Sequence, residues 1–264
     1  VILSDRLVNP DIIELYANKN AEVILTGKQM ANDASCSQAT INELIATYAL
    51  QGKNILRLKG GDVAFYSNVL DELQTAVKYN LEYEIIPGIT AASAASAYAA
   101  IPLTAREYAQ GVQFLSYNPN NQYSIKEWQY FAACNDTLVF YMTARNVFSL
   151  AQVLMQHSKD AETPLAIVEQ ASTKYQKVYL STLKDCEKDF SNITFASPSI
   201  VIVGNVVQLH QQFNWFKTTE EKGSIFKELS QPKNIIKNAA RSETQAVFGI
   251  GTHYQHLATG ALCA

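Results

Sequence analysis

The sequence has 264 residues, of which 48% are hydrophobic and 17% charged, and its formal net charge is −3. This composition is typical of a folded protein with a sizeable core and excludes a disordered chain. The slight negative charge argues against a nucleic-acid-binding surface. The four cysteines form no Cys-x-x-Cys pair. We therefore expect no metal site, no disulfide framework and a location in the reducing cytoplasm. We also expect no membrane segment, because no apolar run is long enough to cross a bilayer.

Alternating strands and helices are predicted for the first part of the chain from its hydrophobic periodicity. Strands separated by helices indicate βαβ units and a mainly parallel sheet. The predicted strands are 1–3, 21–25, 54–58 and 84–86, and the predicted helices are 10–17, 39–50 and 70–78.

The second part of the chain is predicted to form another α/β domain. Its predicted strands are 112–116, 137–141, 164–168, 177–182 and 200–203, with a helix at 146–157. We place the domain boundary between the N-terminal domain, 1–110, and the C-terminal domain, 111–217. Residues 218–264 show no steady periodicity, and we predict a disordered or loosely packed tail.

A Gly-Gly-Asp turn directly follows the predicted strand 54–58. Glycine at Gly60 and Gly61 permits close approach of the backbone to a ligand, and open α/β sheets bind ligands where their strands end. Asp62 is then able to accept hydrogen bonds from a ligand hydroxyl or amine. The alternative is a common tight turn capped by Asp62.

Two further segments have the same strand-end placement. Residues 86–93 lead from a strand into a helix of small residues. The N-terminal amides of such a helix bind polar or anionic groups, and the alternative is tight packing of the helix against the sheet. Met142 follows the strand 137–141, where it either lines a ligand pocket or belongs to the core.

Charged residues near the predicted strand ends are candidates for proton transfer and substrate binding. Asp5 and Lys28 each follow a strand and are candidate proton-handling groups. Alternatively, Asp5 is a helix cap or an ion-pair partner, and Lys28 is a solvated loop residue. Arg106 lies near the predicted domain boundary, where it either binds a carboxylate or pairs on the surface with Glu107.

In their order along the chain, these segments resemble the tetrapyrrole methylases, and among them the uroporphyrinogen-III C-methyltransferases. The resemblance extends over 1–216. The matching segments are Asp-Arg-Leu-Val at 5–8, Gly-Lys at 27–28, Arg-Leu-Lys-Gly-Gly-Asp at 57–62, Pro-Gly-Ile-Thr-Ala-Ala-Ser at 87–93, Ile-Pro-Leu-Thr at 101–104, Tyr-Ala-Gln at 108–110, Asp-Thr-Leu-Val-Phe-Tyr-Met at 136–142, and stretches within 164–169, 197–207 and 215–216.

The resemblance implies a fold of two α/β domains, each a mixed sheet flanked by helices, with the first strand of the N-terminal domain missing. It further implies a homodimer with S-adenosyl-L-methionine bound in the cleft between the domains. The implied reaction is C-methylation of uroporphyrinogen III at C2 and C7. Its product, precorrin-2, feeds sirohaem and cobalamin biosynthesis.

The resemblance also implies roles for individual residues. Asp5 corresponds to the family's proposed proton acceptor, Lys28 to the proposed proton donor, and Arg106 to a candidate contact of the substrate carboxylates. The residues implied to contact S-adenosylmethionine are Gly60, Gly61, Asp62, Phe65, Thr90, Ala91, Met142 and Ala171.

The sequence departs from the family pattern at several places. The strand and Gly-x-Gly-Pro-Gly-Asp-Pro loop with which the family opens are not in it, 67–72 lacks the usual glycines and arginine, and Ala105 stands where histidine is usual. Ala171 replaces a glycine and is expected to crowd the adenosine. We therefore hypothesise weak S-adenosylmethionine binding and impaired activity. The alternatives are a later precorrin methyltransferase and a non-catalytic tetrapyrrole-binding homologue.

Overall fold

The computed structural model describes residues 1–27, 36–120, 123–219, 221, 223–226 and 245–249. The chain divides into two compact units. The first comprises Val1–Ile89 together with the strand Gln245–Gly249, and the second comprises Thr90–Ser224. In chain order the elements are β1 (Ile2–Ser4), α1 (Pro10–Tyr16), β2 (Val23–Leu25), α2 (Gln38–Leu50), β3 (Ile55–Leu58), α3 (Leu70–Lys78), β4 (Glu82–Ile85), α4 (Ala91–Tyr98), β5 (Val112–Ser116), α5 (Ile125–Ala133), β6 (Thr137–Tyr141), α6 (Val147–Gln156), β7 (Pro164–Glu169), β8 (Lys177–Thr182), α7 (Cys186–Phe190), β9 (Ser199–Val203), α8 (Leu209–Phe213) and β10 (Gln245–Gly249).

Several helices begin at residues that suit a helix N-terminus. The Asn9 side chain accepts a hydrogen bond from the backbone N–H of Asp11, and a proline follows at the first helical position of α1. Ser37 caps α2 by accepting from Thr40. Helix α5 begins with a reciprocal capping box between Ser124 and Glu127.

The first unit contains a five-stranded sheet in the order β2-β1-β3-β10-β4, and every neighbouring pair in it is parallel. Alternate residues along its strands are buried on opposite faces. Leu3 and Ile55 pack with Ile45 of α2 on one face. Ile2 and Leu58 pack towards α1 on the other face. Helices therefore flank both faces of the sheet.

The second unit contains a mixed sheet in the order β5-β6-β9-β7-β8, in which β5 and β6 are parallel and the other pairs antiparallel. Both faces of this sheet carry a hydrophobic core. Leu138 and Phe140 of β6 pack in the cluster that includes α5 and α6. Val139 and Tyr141, which alternate with them, pack in the cluster that contains Ala92 of α4 and the other small residues of that helix.

The predicted class of two α/β units is confirmed, with two finer differences. The first sheet is parallel in all its described pairings, not mixed. The two compact units divide between Ile89 and Thr90, earlier than the boundary predicted at 110–111. The earlier division follows from α4, because its residues Ala92, Ala95 and Ala99 are buried in the core of the second sheet.

The tail predicted at 218–264 contains ordered structure in its described part. Thr219 donates its backbone N–H to the carbonyl of Lys174 at 3.0 Å, and Gln245–Gly249 form β10. β10 lies between β3 and β4 and pairs with both. Of the tail, 220, 222, 227–244 and 250–264 lie outside the described part of the chain. No helix in the described ranges is long and apolar enough to span a membrane.

Candidate functional site

A network of charged side chains lies where β1 and β3 end. Arg57, the third residue of β3, donates from Nη2 to Asp5 Oδ1 and from Nε to Glu72 Oε1, the latter at 2.8 Å. Lys59 Nζ lies 3.0 Å from both carboxylate oxygens of Glu72 and 3.9 Å from Asp5 Oδ2. Two cations and two carboxylates therefore balance one another within a single cluster.

Only one member of this network reaches solvent to a sizeable extent. The Glu72 side chain is fully buried, those of Arg57 and Lys59 nearly so, whereas 29% of the Asp5 side chain is exposed. Burial by itself lowers the pKa of Arg57, but the carboxylates of Asp5 and Glu72 outweigh burial and leave this pKa above its ordinary value. Arg57 is therefore a permanent cation beneath the one accessible carboxylate.

The topology of the first sheet brings Asp5 to this position. The chain leaves β1 towards β2 on one side, and leaves β3 towards β4 on the other side. The carboxyl ends of β1 and β3 therefore flank a topological switch point, the usual place for a ligand in an open parallel sheet. Thr26, which follows β2, also donates to Asp5 Oδ1 at 3.3 Å. The predicted alternative of Asp5 as an ion-pair partner is thus confirmed, while the N-cap of α1 is Asn9.

The Gly60–Asp62 turn directly adjoins this network. A Cβ atom at Gly60 would lie 2.8 Å from the carbonyl oxygen of Leu7, and Gly61 has a φ of 81°. Both positions therefore favour glycine. Asp62 Oδ1 accepts from the backbone N–H of Ala64 at 2.9 Å, and Phe65 donates its N–H to the Asp62 carbonyl. The tight turn capped by Asp62 is confirmed, and a ligand role for these residues stays a prediction.

In the second unit, a buried tyrosine joins the start of α4 to the end of β6. The hydroxyl groups of Tyr141 and Thr90 lie 2.6 Å apart, and the backbone N–H of Ala92 donates to the same tyrosine oxygen at 3.3 Å. Ala91 is the first residue of α4 and is half-buried. The tyrosine therefore holds the N-terminus of a small-residue helix beside the carboxyl end of β6.

Two residues with positive φ follow β6 and β7. These strands run in the same direction because each is antiparallel to β9, so Met142 and Gln170 lie at the same edge of the sheet. Their φ angles are 57° and 44°. The Met142 side chain is 70% exposed, so the alternative that places it in the core is wrong. Gln170 is buried, and the half-buried Ala171 follows it. Backbone strain of this kind gathers at ligand sites.

The structure says less about Arg106, the predicted substrate contact, and Lys28, the predicted proton donor. Arg106 is exposed in a tight turn that is closed by the backbone bridge between Ala105 and Ala109. Lys28 lies outside the described residues. Among the described residues, no group of three or more His, Cys, Asp or Glu side chains is placed to hold a metal ion.

Sequence reasoning assigned no role to Arg57, Lys59, Glu72 or Tyr141. An arginine inside the apolar run 55–58 was a usable signal, because a charge in a buried strand requires a partner. Nothing in the sequence identified Glu72 as that partner, since it lies in α3, beyond the glycine turn.

The chain has an α/β fold with candidate sites at its strand ends, and solved structures of methyltransferases share this fold. The uroporphyrin-III C-methyl transferase of Thermus thermophilus, complexed with S-adenyl homocysteine, matches with a TM-score of 0.64 and 25% identity. The match covers 79% of this chain and 86% of that chain. A cobalt precorrin-4 methyltransferase, at 19% identity, shares the fold with a TM-score of 0.68 over 78% of this chain and 84% of its own.

The family model for Tetrapyrrole (Corrin/Porphyrin) Methylases matches residues 1–187, and the chain belongs to this family. The siroheme synthase of Pseudomonas fluorescens is 38% identical over 222 residues, which cover 84% of this chain. The siroheme synthase of Nitrosomonas europaea is 38% identical over 221 residues, also 84% of this chain. The chain spans about half the length of these relatives, 47% and 46% respectively.

The second unit offers features that fit an adenosyl ligand. The buried Gln170 side chain donates from Nε2 to the Gly223 carbonyl at 2.9 Å, whereas its Oε1 has no hydrogen-bond donor among the described residues. A buried carbonyl oxygen without a donor is costly unless a ligand or water satisfies it. The exposed Met142 side chain adds an apolar surface at the same sheet edge.

Proposed function

We propose that this chain transfers methyl groups from S-adenosylmethionine to C2 and C7 of uroporphyrinogen III, giving precorrin-2. The observation that carries this proposal is the partly exposed Asp5 carboxylate, which is held by the buried Arg57 at the switch point of the first sheet. Family membership supports methylation of a tetrapyrrole. The similarity to siroheme synthases and to a uroporphyrin-III C-methyl transferase supports the finer choice of substrate.

The chemistry requires a proton acceptor and good positioning. S-adenosylmethionine would supply an electrophilic methyl group, and S-adenosylhomocysteine would be the leaving group. The pyrrole carbon of the substrate is the nucleophile, so no covalent bond to the protein forms. The methylated ring carries a positive charge until a proton leaves, and in this proposal Asp5 accepts that proton. The fixed position of Asp5 between Arg57 and Thr26 supports this role.

Residues in each unit are proposed to bind the cofactor. In the first unit, the backbone of Gly60 and Gly61, the Asp62 carboxylate and the Phe65 side chain are the proposed contacts. In the second unit, they are Thr90, Ala91, Met142 and Ala171. Their placement at strand ends and at the start of α4 supports this assignment.

The substrate contacts and the assembly are proposed on the family resemblance. Arg106 is proposed to bind substrate carboxylates, which its exposed side chain permits, and Lys28 is proposed as proton donor. We further propose a cytoplasmic homodimer. Uroporphyrinogen III carries eight carboxylates, so a guanidinium group suits it chemically.

Replacement of the proposed base tests the mechanism. We expect Asp5→Asn to lower the rate of methyl transfer from labelled S-adenosylmethionine by about a hundredfold or more, with little change in S-adenosylhomocysteine affinity. Asp11→Asn is the matched control, because Asp11 lies in the exposed first turn of α1. An Asp5→Asn enzyme with the unmodified rate would contradict the role of Asp5.

Substrate choice is tested with the unmodified chain. We expect two methyl groups to be added to uroporphyrinogen III and none to precorrins that already carry both. Methylation of a later precorrin alone would indicate a different member of the family. An absence of transfer to any tetrapyrrole, with retained tetrapyrrole binding, would indicate a non-catalytic homologue.

A further inference from the structure

Strand β10 is an inner strand of the first sheet, although it comes after the whole second unit in the chain. It pairs in parallel with β3, where Gly249 is level with Leu58, and with β4, where Phe248 is level with Ile85. β3 and β4 are not neighbours, because β10 lies between them. Among the described strands, β10 is the only partner of β4. The attachment of β4 to the sheet therefore depends on β10.

The carboxyl end of β10 lies between two loops that follow β3 and β4. The loop 59–62 begins immediately after Leu58, and the loop 86–89 begins immediately after Ile85. Because the three strands are parallel, their carboxyl ends lie at the same edge. Gly249 ends β10 there without a side chain. β10 therefore sets the spacing between the two loops.

The family match does not account for this strand. It covers residues 1–187, whereas β10 begins at Gln245. The family match therefore assigns β10 no role in ligand binding. The backbone pairing shows independently of the comparisons that β10 lies between the strands that lead into the loops 59–62 and 86–89.

We propose that β10 is a positioning element of the cofactor site. Its insertion holds the loop 59–62 at a fixed distance from the loop 86–89 and thereby sets the affinity of the site. The identity of the ligand, S-adenosylmethionine, rests on the proposed function. Linkage requires the reverse effect as well, because a ligand that binds only when β10 is inserted also holds β10 in the sheet.

Amide hydrogen exchange on the unmodified chain tests the insertion, with S-adenosylhomocysteine as the probe. We expect the amides of Gln245–Gly249 to be protected in the absence of the probe. At a probe concentration of about a hundred times its dissociation constant, their exchange is expected to slow by about a hundredfold. Exchange as fast as in an unstructured peptide, or exchange unaffected by bound probe, would overturn the inference.

A proline in β10 tests the effect on the loops. Because β10 is paired on both sides, Val247→Pro removes a ladder hydrogen bond and is poorly tolerated in an inner strand. We expect faster exchange at 55–62 and 82–89 and S-adenosylhomocysteine binding weakened by about tenfold or more. The matched control is Glu221→Pro, at an exposed bend of the tail, which is expected to change neither. Protection of β5–β9 shows that the variant chain is folded.

The outcomes separate this inference from the proposed function. If Val247→Pro binds the probe as tightly as the unmodified chain, the inference is wrong and the proposed function stands. If the unmodified chain binds no probe, the proposed function is contradicted. The inference is then decided by exchange at 55–62 in Val247→Pro, where faster exchange supports it and unchanged exchange overturns it.

Discussion

At the scale of single residues, the charged network around Arg57 is the most constrained part of the chain. Removing charges from water costs several kcal/mol per ion, so buried charges persist only when they are paired and hydrogen-bonded. Glu72 meets this condition by accepting from both Arg57 and Lys59. Its burial also means that the accessible end of the network is Asp5, the group on which the proposed chemistry depends.

Neutralising the buried carboxylate should therefore be costly. We expect Glu72→Gln to lower the free energy of unfolding by about 3 kcal/mol, because Arg57 and Lys59 lose their shared counter-charge. The measurement is urea denaturation at neutral pH. The control is Glu162→Gln, which removes one partner of the exposed pair with Lys184 and should cost less than about 1 kcal/mol. Equal losses in both variants would show that the buried network is not stabilising.

The sequence predicted only some of this site. The glycines at Gly60 and Gly61 and the placement of Asp5 just after a strand follow from patterns that are local in sequence. The ion pairs do not, because Asp5, Arg57 and Glu72 come from β1, β3 and α3 and meet only after the sheet has formed. Partners from separate elements have no signature in sequence spacing.

At the scale of elements, α4 illustrates how small side chains determine packing. Its alanines lie directly against the second sheet, and its N-terminus is held by Tyr141. The predicted alternative of tight packing against a sheet is therefore confirmed, although the helix packs on the second sheet. A larger side chain on the buried face would move the helix away from β6.

Overpacking of this face should affect both stability and binding. We expect Ala95→Leu to destabilise the protein by about 1–3 kcal/mol, since Ala95 is fully buried. A displaced α4 also moves Thr90, so S-adenosylhomocysteine binding measured by calorimetry should weaken. Ala97→Leu, on the exposed side of the same helix, is the control. A tolerated Ala95→Leu with unchanged binding would contradict this account of α4.

The sequence predicted most of the elements, including the short strands β1 and β2, but it missed three helices and one strand. The buried run of β6 and the helix α3 have the predicted bounds. Helix α5 was missed, and so were α7 and α8, whose five residues each give too little periodicity to detect. β10 was missed for a related reason, since its five residues form a strand only through pairing with β3 and β4.

At the scale of the whole molecule, the burial of Cys186 and Tyr48 is expected to lower the free energy of unfolding at alkaline pH. Burial, reinforced by the charge of Glu187, raises the pKa of the Cys186 thiol from 9.0 to about 11. Burial and the hydrogen bond to Glu22 raise the pKa of Tyr48 to about 12. Between the ordinary and the raised pKa, the unfolded chain releases a proton that the folded chain keeps. Unfolding is therefore favoured progressively as the pH rises through this range.

The contribution of Cys186 can be separated from that of other groups. We expect the free energy of unfolding to fall between about pH 9 and pH 11, and the fall to be shallower in Cys186→Ala. Urea denaturation of both proteins at a series of pH values measures the two slopes. The substitution also removes packing, but lost packing lowers the free energy of unfolding by the same amount at every pH. The slope therefore still reports on the ionisation of Cys186. Parallel slopes would show that folding does not raise the pKa of Cys186.

The indole of Trp215 has a practical consequence. It donates from Nε1 to the carbonyl of Ala97 at 2.9 Å while 60% of the residue remains exposed, whereas Trp128, the other tryptophan of the sequence, is 3% exposed in the core. Trp128→Phe therefore leaves Trp215 as the only tryptophan, hydrogen-bonded to the last turn of α4. Its emission wavelength and its quenching by iodide then report on the surroundings of the carboxyl end of α4, where Trp215 contacts Tyr98.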